Sequence, residues 1–209
     1  MGIAKRRAVA RARLDVEIDI PRLAAAMRRY ALACSSRLGN DCYVHAAIVK
    51  EILAQVGFEA QLIGGYAAWR VGPGDSDVIL HAPMPGMVFT GKALPHHIWL
   101  EFDGFLLDTT TYQLRLKAAQ LDAQDGGHTT VEWCPDYLFV ARSSVSSFKD
   151  VEQKDAGMYY YERHLHTEKR VTQEPFTLDP DDVQQVWLLY QNPTCQVFGP
   201  NDFFANAPP

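Results

Sequence analysis

Apolar residues recur every three or four positions in two stretches near the amino terminus, a spacing typical of amphipathic helices. The first stretch runs from Pro21 to Leu38 and has proline where a helix tolerates it best, in the first turn. The second begins after Asn40 or Asp41, either of which can cap a helix, and ends at Gly57. The sequence therefore predicts two helices, and it places a cysteine in the first turn of the second.

Beyond these helices, β-branched and aromatic residues dominate and predict strands. Two such runs flank Asp103-Gly104, which is a strong signal for a tight hairpin turn. Residues 71–86 are rich in glycine and proline and predict a loop, which leaves His81 in solvent. Asp179-Pro180 predicts the start of a last helix. Further strands are predicted over residues 58–72, 131–141 and 157–166, and an irregular tail over 200–209.

The order of these elements, helices first and then a mostly antiparallel sheet, predicts an α+β fold rather than a parallel βαβ fold. A chain of 209 residues can bury one substantial core. We expect a single domain over residues 19–209, preceded by a basic arm over residues 1–18. Five cations precede the first acidic residue in that arm: Lys5, Arg6, Arg7, Arg11 and Arg13.

The net charge of −5 argues against a broad nucleic-acid-binding surface, although the basic arm can contact an anionic partner. No apolar stretch is long enough to span a membrane, and no secretory signal follows the basic arm. We therefore expect a cytoplasmic protein with reduced thiols. Its four cysteines have no zinc-site spacing, and Gly64-Gly65 does not open a phosphate-binding loop. We expect neither a cofactor nor a metal, including at His164 and His166, which share a predicted strand but have no carboxylate at a spacing that would complete a metal site.

Cys42 has the position of a nucleophile. A helix amino terminus supplies partial positive charge and free N–H groups, which stabilise a thiolate. The same N–H groups can face the oxyanion of a tetrahedral intermediate. Asp41 complicates this interpretation, because its charge disfavours a thiolate unless the carboxylate is occupied as the helix cap. His45, one turn further along the helix, is interpreted as a partly buried, hydrogen-bonding histidine.

The hairpin offers this thiol a base and an orienting carboxylate. If Asp103-Gly104 forms a two-residue turn, Trp99 faces Asp108, and His97 lies on the same side of the sheet as both. The diagonal between His97 and Asp108 is roughly 7–8 Å at the backbone, within reach of a ring and a carboxylate. His96 then points to the other side. A three-residue loop would break this parity, so the assignment depends on the turn.

These residues resemble the transglutaminase-like branch of the papain-like superfamily, which includes bacterial cysteine proteinases of that type and the leader peptidases of lasso-peptide biosynthesis. The resemblance covers residues 39–113: a cysteine that opens a helix, then GFEAQLIGGY, HIWLEFDG and LLDTT. It implies a papain-like core, with Cys42 as nucleophile, His97 as base and Asp108 as its orienting partner. It also implies a peptide or protein amide as the substrate.

The sequence departs from that family around the nucleophile. Two residues separate Gly39 from Cys42 where many members have one, although Tyr43 keeps the aromatic residue that follows. The upstream glutamine that completes the oxyanion hole of papain-like proteases has no clear equivalent. Asn40, Tyr43 and Trp99 are weaker candidates for substrate contact. We expect a thiol-dependent amide or peptide hydrolase, with an acyltransferase or a non-catalytic binding domain as alternatives.

Overall fold

The computed structural model describes residues 8, 12, 14, 16–83, 95–153, 155–173 and 176–204. Its helices are α1 (Ile20–Cys34), α2 (Cys42–Gln55), α3 (Leu114–Asp125), α4 (Phe148–Gln153), α5 (Leu165–Gln173), α6 (Pro180–Gln191) and α7 (Pro200–Phe204). Its strands are β1 (Gln61–Arg70), β2 (Val78–His81), β3 (His97–Phe102), β4 (Phe105–Asp108), β5 (Leu138–Ala141) and β6 (Tyr159–Arg163). Short 3₁₀ turns follow β4 (Thr111–Gln113) and β5 (Arg142–Ser144).

The two predicted amino-terminal helices are confirmed. Asp19 caps α1 by accepting a hydrogen bond from the Arg22 backbone N–H, and Pro21 lies in the first turn. Helix α2 begins at Cys42, and its apolar side includes the fully buried Ile48 and Ile52. Full burial of each isoleucine stabilises the fold by about 2 kcal/mol. Together with α6, these helices pack over one side of the sheet.

Every strand pairing in the described sheet is antiparallel, so the predicted α+β class is confirmed. The strand order is β2-β1-β3-β4-β5, and β6 also pairs with β1. The long β1 pairs with β3 over its first half and with β2 over its second half. On β1, Gly65 pairs with His97 and Ala67 pairs with His81. This arrangement brings the two histidines close together.

The hairpin forms as predicted. Phe102 pairs with Phe105 and Leu100 with Leu107, so the turn contains two residues. Asp103 and Gly104 have φ angles of 51° and 80°, the left-handed conformation that both central residues of a tight hairpin turn require. This register places His97, the first residue of β3, diagonally opposite Asp108, the last residue of β4, as predicted.

Several local predictions were wrong because pairing partners far along the chain decide the structure. The predicted loop 71–86 contains β2, and the predicted strand 157–166 stops at Arg163, after which α5 begins. Residues 131–137 form no strand, and the tail begins with α7. Helix α3 follows the hairpin where no helix was predicted.

The core extends into the segment predicted to be a basic arm. Leu14 and Ile18 are 1% and 2% exposed and belong to the same core cluster as α1. Packing therefore begins before the predicted boundary after residue 18. The five cations of the arm lie outside the described residues. Among the helices that the structure describes, none combines the length and the apolar character needed to cross a membrane.

Candidate active site

Cys42, His97 and Asp108 meet where α2 begins. Cys42 is the first residue of α2, His97 is the first residue of β3 and Asp108 is the last residue of β4. Because α2 packs on β3, the helix tip reaches the open end of the hairpin. Cys42 is half-buried, whereas His97 and Asp108 are each 2% exposed. The structure thus brings together, at the tip of α2 and the open end of the hairpin, the three residues named from the sequence.

The histidine and the carboxylate form a buried pair. Nε2 of His97 lies 2.7 Å from Oδ2 of Asp108. The same Asp108 oxygen accepts a hydrogen bond of 2.6 Å from the Tyr161 hydroxyl, while Oδ1 accepts from the backbone N–H and the hydroxyl of Thr110. The Tyr161 oxygen in turn accepts from Nε1 of Trp69. Since both carboxylate oxygens are held in place, Asp108 can fix the plane of the His97 ring.

This pairing stabilises the charged forms of both residues. Burial disfavours the protonated form of His97, but the charge and hydrogen bond of Asp108, together with the Cys42 thiol, raise its pKa to about 10. Burial likewise disfavours the Asp108 carboxylate, but His97, Thr110 and Tyr161 hold the pKa of that carboxyl well below its usual range. The pair is therefore an imidazolium and a carboxylate near neutral pH.

The second ring nitrogen of His97 is oriented by this contact. With Nε2 on Asp108, the remaining atom Nδ1 is buried and makes no hydrogen bond within the described residues. The Cys42 sulfur is near enough to raise the pKa of the ring through its electrostatic influence. Cys42 and Asp108 also line one small cleft, with Trp99 and Thr109 at its strand side and His45 on the helix. The geometry thus places a base beside the thiol.

Asp41 does not have the capping role that was one of its two predicted alternatives. It occupies the cap position of α2, but its side chain makes no capping hydrogen bond. The carboxylate instead accepts hydrogen bonds from Ser35 (2.6 Å) and Gln113 (2.9 Å) and lies 3.4 Å from Nε2 of His45. Burial raises the pKa of Asp41, but His45, Ser35 and Gln113 outweigh this and lower it. The negative charge is thus held by a buried network rather than by the helix amino terminus.

The three weaker candidates have separate surroundings. Asn40 is exposed, and its Oδ1 accepts a hydrogen bond of 2.8 Å from Nζ of Lys117. The Tyr43 ring packs edge-on against Phe176, with centroids 4.6 Å apart. Trp99 lines the cleft but is 1% exposed, and its Nε1 donates to Glu101. The structure therefore supports Trp99 as a wall of the cleft and gives its N–H another partner.

Sequence reasoning missed Tyr161, Gln113 and Lys117. Tyr161 reaches Asp108 because β6 pairs with β1, a contact between residues that lie far apart in sequence. The signal in the sequence that could have pointed to Gln113 is its position three residues after the LLDTT motif. His81, predicted to be solvated, is instead packed against Trp69 and lies 5.5 Å from the His97 ring, centroid to centroid. His164 and His166 lie beyond the end of β6 rather than within the predicted strand, and the His164 ring forms a hydrogen bond with the Thr167 hydroxyl.

Gln113 is expected to position the nucleophile. Its amide oxygen accepts from the Gly39 N–H and its nitrogen donates to Asp41, so one side chain holds both ends of the turn before Cys42. Gln113→Ala leaves a buried carboxylate with one donor fewer, and we expect a loss of about 1–3 kcal/mol in the free energy of unfolding. We also expect slower alkylation of Cys42 by iodoacetamide. The exposed Gln124→Ala on α3 is the matched control, and equal behaviour of both variants contradicts the positioning role.

Comparisons with known proteins assign no family to this chain. No protein-family model matches the sequence. No curated protein matches it either. A solved structure, the crystal structure of a genomics target, is similar over 85% of this chain and 82% of its own length, with 17% identity and a TM-score of 0.48. The functional interpretation therefore depends on the chemistry of the site.

Proposed function

We propose that this protein is a thiol-dependent hydrolase of amide or peptide bonds that works through an acyl-enzyme on Cys42. His97 serves as general base and general acid, and Asp108 holds its ring. The observation that carries the proposal is the buried His97–Asp108 pair, whose other ring nitrogen is left for a thiol at a helix tip. This is the arrangement of nucleophile, base and orienting group that covalent catalysis requires.

The first half of the reaction forms the acyl-enzyme. A protonated His97 stabilises a thiolate at Cys42, since a nearby cation favours the charged sulfur. The thiolate attacks the amide carbonyl carbon, and a C–S bond forms as the carbonyl electrons move onto oxygen. When the tetrahedral intermediate collapses, the C–N bond breaks and His97 donates its proton to the leaving amine. In this scheme the N–H groups of the first turn of α2, which a helix leaves unpaired, stabilise the oxyanion.

The second half releases the acyl group. His97, now neutral, accepts a proton from water as the water oxygen attacks the thioester carbon. Collapse of the second intermediate breaks the C–S bond, releases a carboxylic acid and restores the thiolate beside the protonated ring. If an amine takes the place of water, the same steps give acyl transfer. Hydrolysis is the proposed reaction, because it needs no second substrate site.

The proposal is tested by trapping the acyl-enzyme. We expect an activated acyl donor, such as a p-nitrophenyl ester, to add one acyl mass to Cys42 within a single turnover, as measured by peptide mass spectrometry. The thiols of Cys34, Cys134 and Cys195 serve as internal controls. In His97→Ala the adduct on Cys42 should form at least about 100-fold more slowly. Equal acylation of all four thiols, or no effect of His97→Ala, would sink the proposal in favour of a non-catalytic domain.

The fate of the adduct separates hydrolysis from transfer. With water as the acceptor, the adduct should decay at a rate that added alkyl amines do not change, and free acid should accumulate. Faster decay with formation of the new amide in the presence of a primary amine would identify an acyltransferase. A matched incubation with a tertiary amine, which cannot form an amide, controls for the effect of added base.

A further inference from the structure

The Lys117 side chain lies close to the start of α2. Its side chain leaves α3 and donates a hydrogen bond of 2.8 Å to Asn40, two residues before Cys42. In the part of the chain that the structure describes, no acidic residue forms an ion pair with this lysine. Burial lowers the pKa of Lys117, and the electrostatic influence of Cys42 partly offsets that effect. A half-buried ammonium therefore faces the region of the nucleophile with donor capacity to spare.

A second basic side chain, His81, lies close to Lys117. His81 interacts electrostatically with Lys117, His96 and His97, and its ring lies 5.5 Å from that of His97. Both ring nitrogens of His81 are buried and make no hydrogen bond within the described residues. A buried imidazole with neither nitrogen satisfied is unfavourable by itself. Asp108 also acts electrostatically on His81, but its carboxylate is committed to His97.

We propose that Lys117, with His81 nearby, forms a subsite for a carboxylate of the substrate next to Cys42. The ammonium supplies the charge, and the His81 ring offers an N–H donor that is unpaired among the described residues. The inference rests on the proposed function and narrows its substrate class to amides with a free carboxylate close to the scissile bond. The C-terminal bond of a short peptide is such a substrate.

Two reagents of nearly equal size test the subsite without a known substrate. Iodoacetate carries a carboxylate and iodoacetamide a neutral amide, and both alkylate thiolates by displacement of iodide. The measurement is the ratio of their rates at Cys42, followed by peptide mass spectrometry in the full-length protein. The exposed Cys195 in the same molecule gives the ratio for an ordinary thiol.

We expect Lys117→Met to lower the iodoacetate-to-iodoacetamide ratio at Cys42 by about fivefold, the size of one partly screened charge pair. Lys117→Arg should preserve the ratio. The matched control is Arg115→Met, which removes the same charge from an exposed position on the same helix. The charge of His97 is present in all of these variants, so their differences report on Lys117. High salt should shrink the effect.

The outcomes separate this inference from the proposed function. If Lys117→Met slows both reagents equally, the lysine acts only on the thiolate and the carboxylate subsite is overturned. If Arg115→Met changes the ratio as much as Lys117→Met, the effect is one of overall charge and the subsite is again overturned. If Cys42 reacts no faster than Cys195 and His97→Ala changes nothing, the proposed function itself fails.

Discussion

Cys42→Ala is expected to abolish amide cleavage while leaving the fold intact. Without the sulfur no acyl-enzyme forms, and we expect kcat/KM to fall by about 10⁴-fold or more, as when the nucleophile of a comparable catalytic unit is removed. Alanine is the best helix former, and Cys42 is only half-buried at the start of α2. The free energy of unfolding should therefore change by less than about 1 kcal/mol.

The measurement pairs kcat/KM for an amide substrate with urea unfolding of the same preparation. Cys195→Ala, at an exposed cysteine, is the matched control and should keep full activity. Cys42→Ser should remain inactive, because a serine hydroxyl ionises far less readily than a thiol and His97 is arranged to stabilise an anion that already exists. Retention of more than a few per cent of activity in Cys42→Ala would show that the thiol is not the nucleophile.

The hairpin and the helix tip were predictable because their signals are local. Asp103-Gly104 sets the turn by its left-handed backbone preference, and that turn alone fixes which residues share the face with His97. The start of α2 follows from the change to a four-residue apolar period after Asp41. Neither inference needed any knowledge of distant parts of the chain. The candidate triad could therefore be proposed from sequence.

The surroundings of the triad were not predictable because they depend on contacts between distant segments. Tyr161 reaches Asp108 across a β1–β6 pairing, and Gln113 reaches Asp41 across 72 positions of sequence. His81 was placed in a loop because glycine and proline dominate its neighbourhood, yet β2 pairs with β1 there and both ring nitrogens are buried. Local propensity is a weak guide where a tertiary pairing overrides it. The same limitation hid the contact between Lys117 and Asn40, which lie 77 positions apart in sequence.

Asp108→Asn is expected to have the second largest effect, and that effect should depend on pH. The carboxylate charge and hydrogen bond are what raise the pKa of His97 to about 10 against the opposing effect of burial. With a neutral amide in its place, burial dominates and the pKa of His97 should fall below its ordinary value of 6.5. The ring is then neutral near pH 7.5 and no longer stabilises a thiolate. We expect a loss of about 10²–10⁴-fold in kcat/KM at that pH.

The fall of activity at high pH, which is the alkaline limb of the pH profile, reports the change in the pKa of His97 directly. In the wild type, activity should fall as pH rises through about 10, where His97 loses its proton. In Asp108→Asn the same limb should move to lower pH by several units. Asp103→Asn is the matched control: it makes the same substitution in the same hairpin, and asparagine followed by glycine also favours this turn. A limb that stays near pH 10 in Asp108→Asn would contradict the role of the carboxylate.

Stability should show the same linkage with a defined sign. His97 has a raised pKa in the folded state, so its contribution is complete below about pH 6.5 and is lost as pH rises toward 10. Asp108 has a lowered pKa, so its contribution is complete above about pH 3.8 and is lost below that. The difference in unfolding free energy between wild type and Asp108→Asn should therefore be largest between about pH 3.8 and pH 6.5, roughly 3 kcal/mol, and should be smaller at pH 9.5.

Part of this difference should not depend on pH, because the asparagine N–H₂ group must face donors such as Thr110 and Tyr161. Urea unfolding at pH 5.5 and 9.5 measures both parts, and an equal difference at the two pH values would mean that the pair is not ionised in the folded protein.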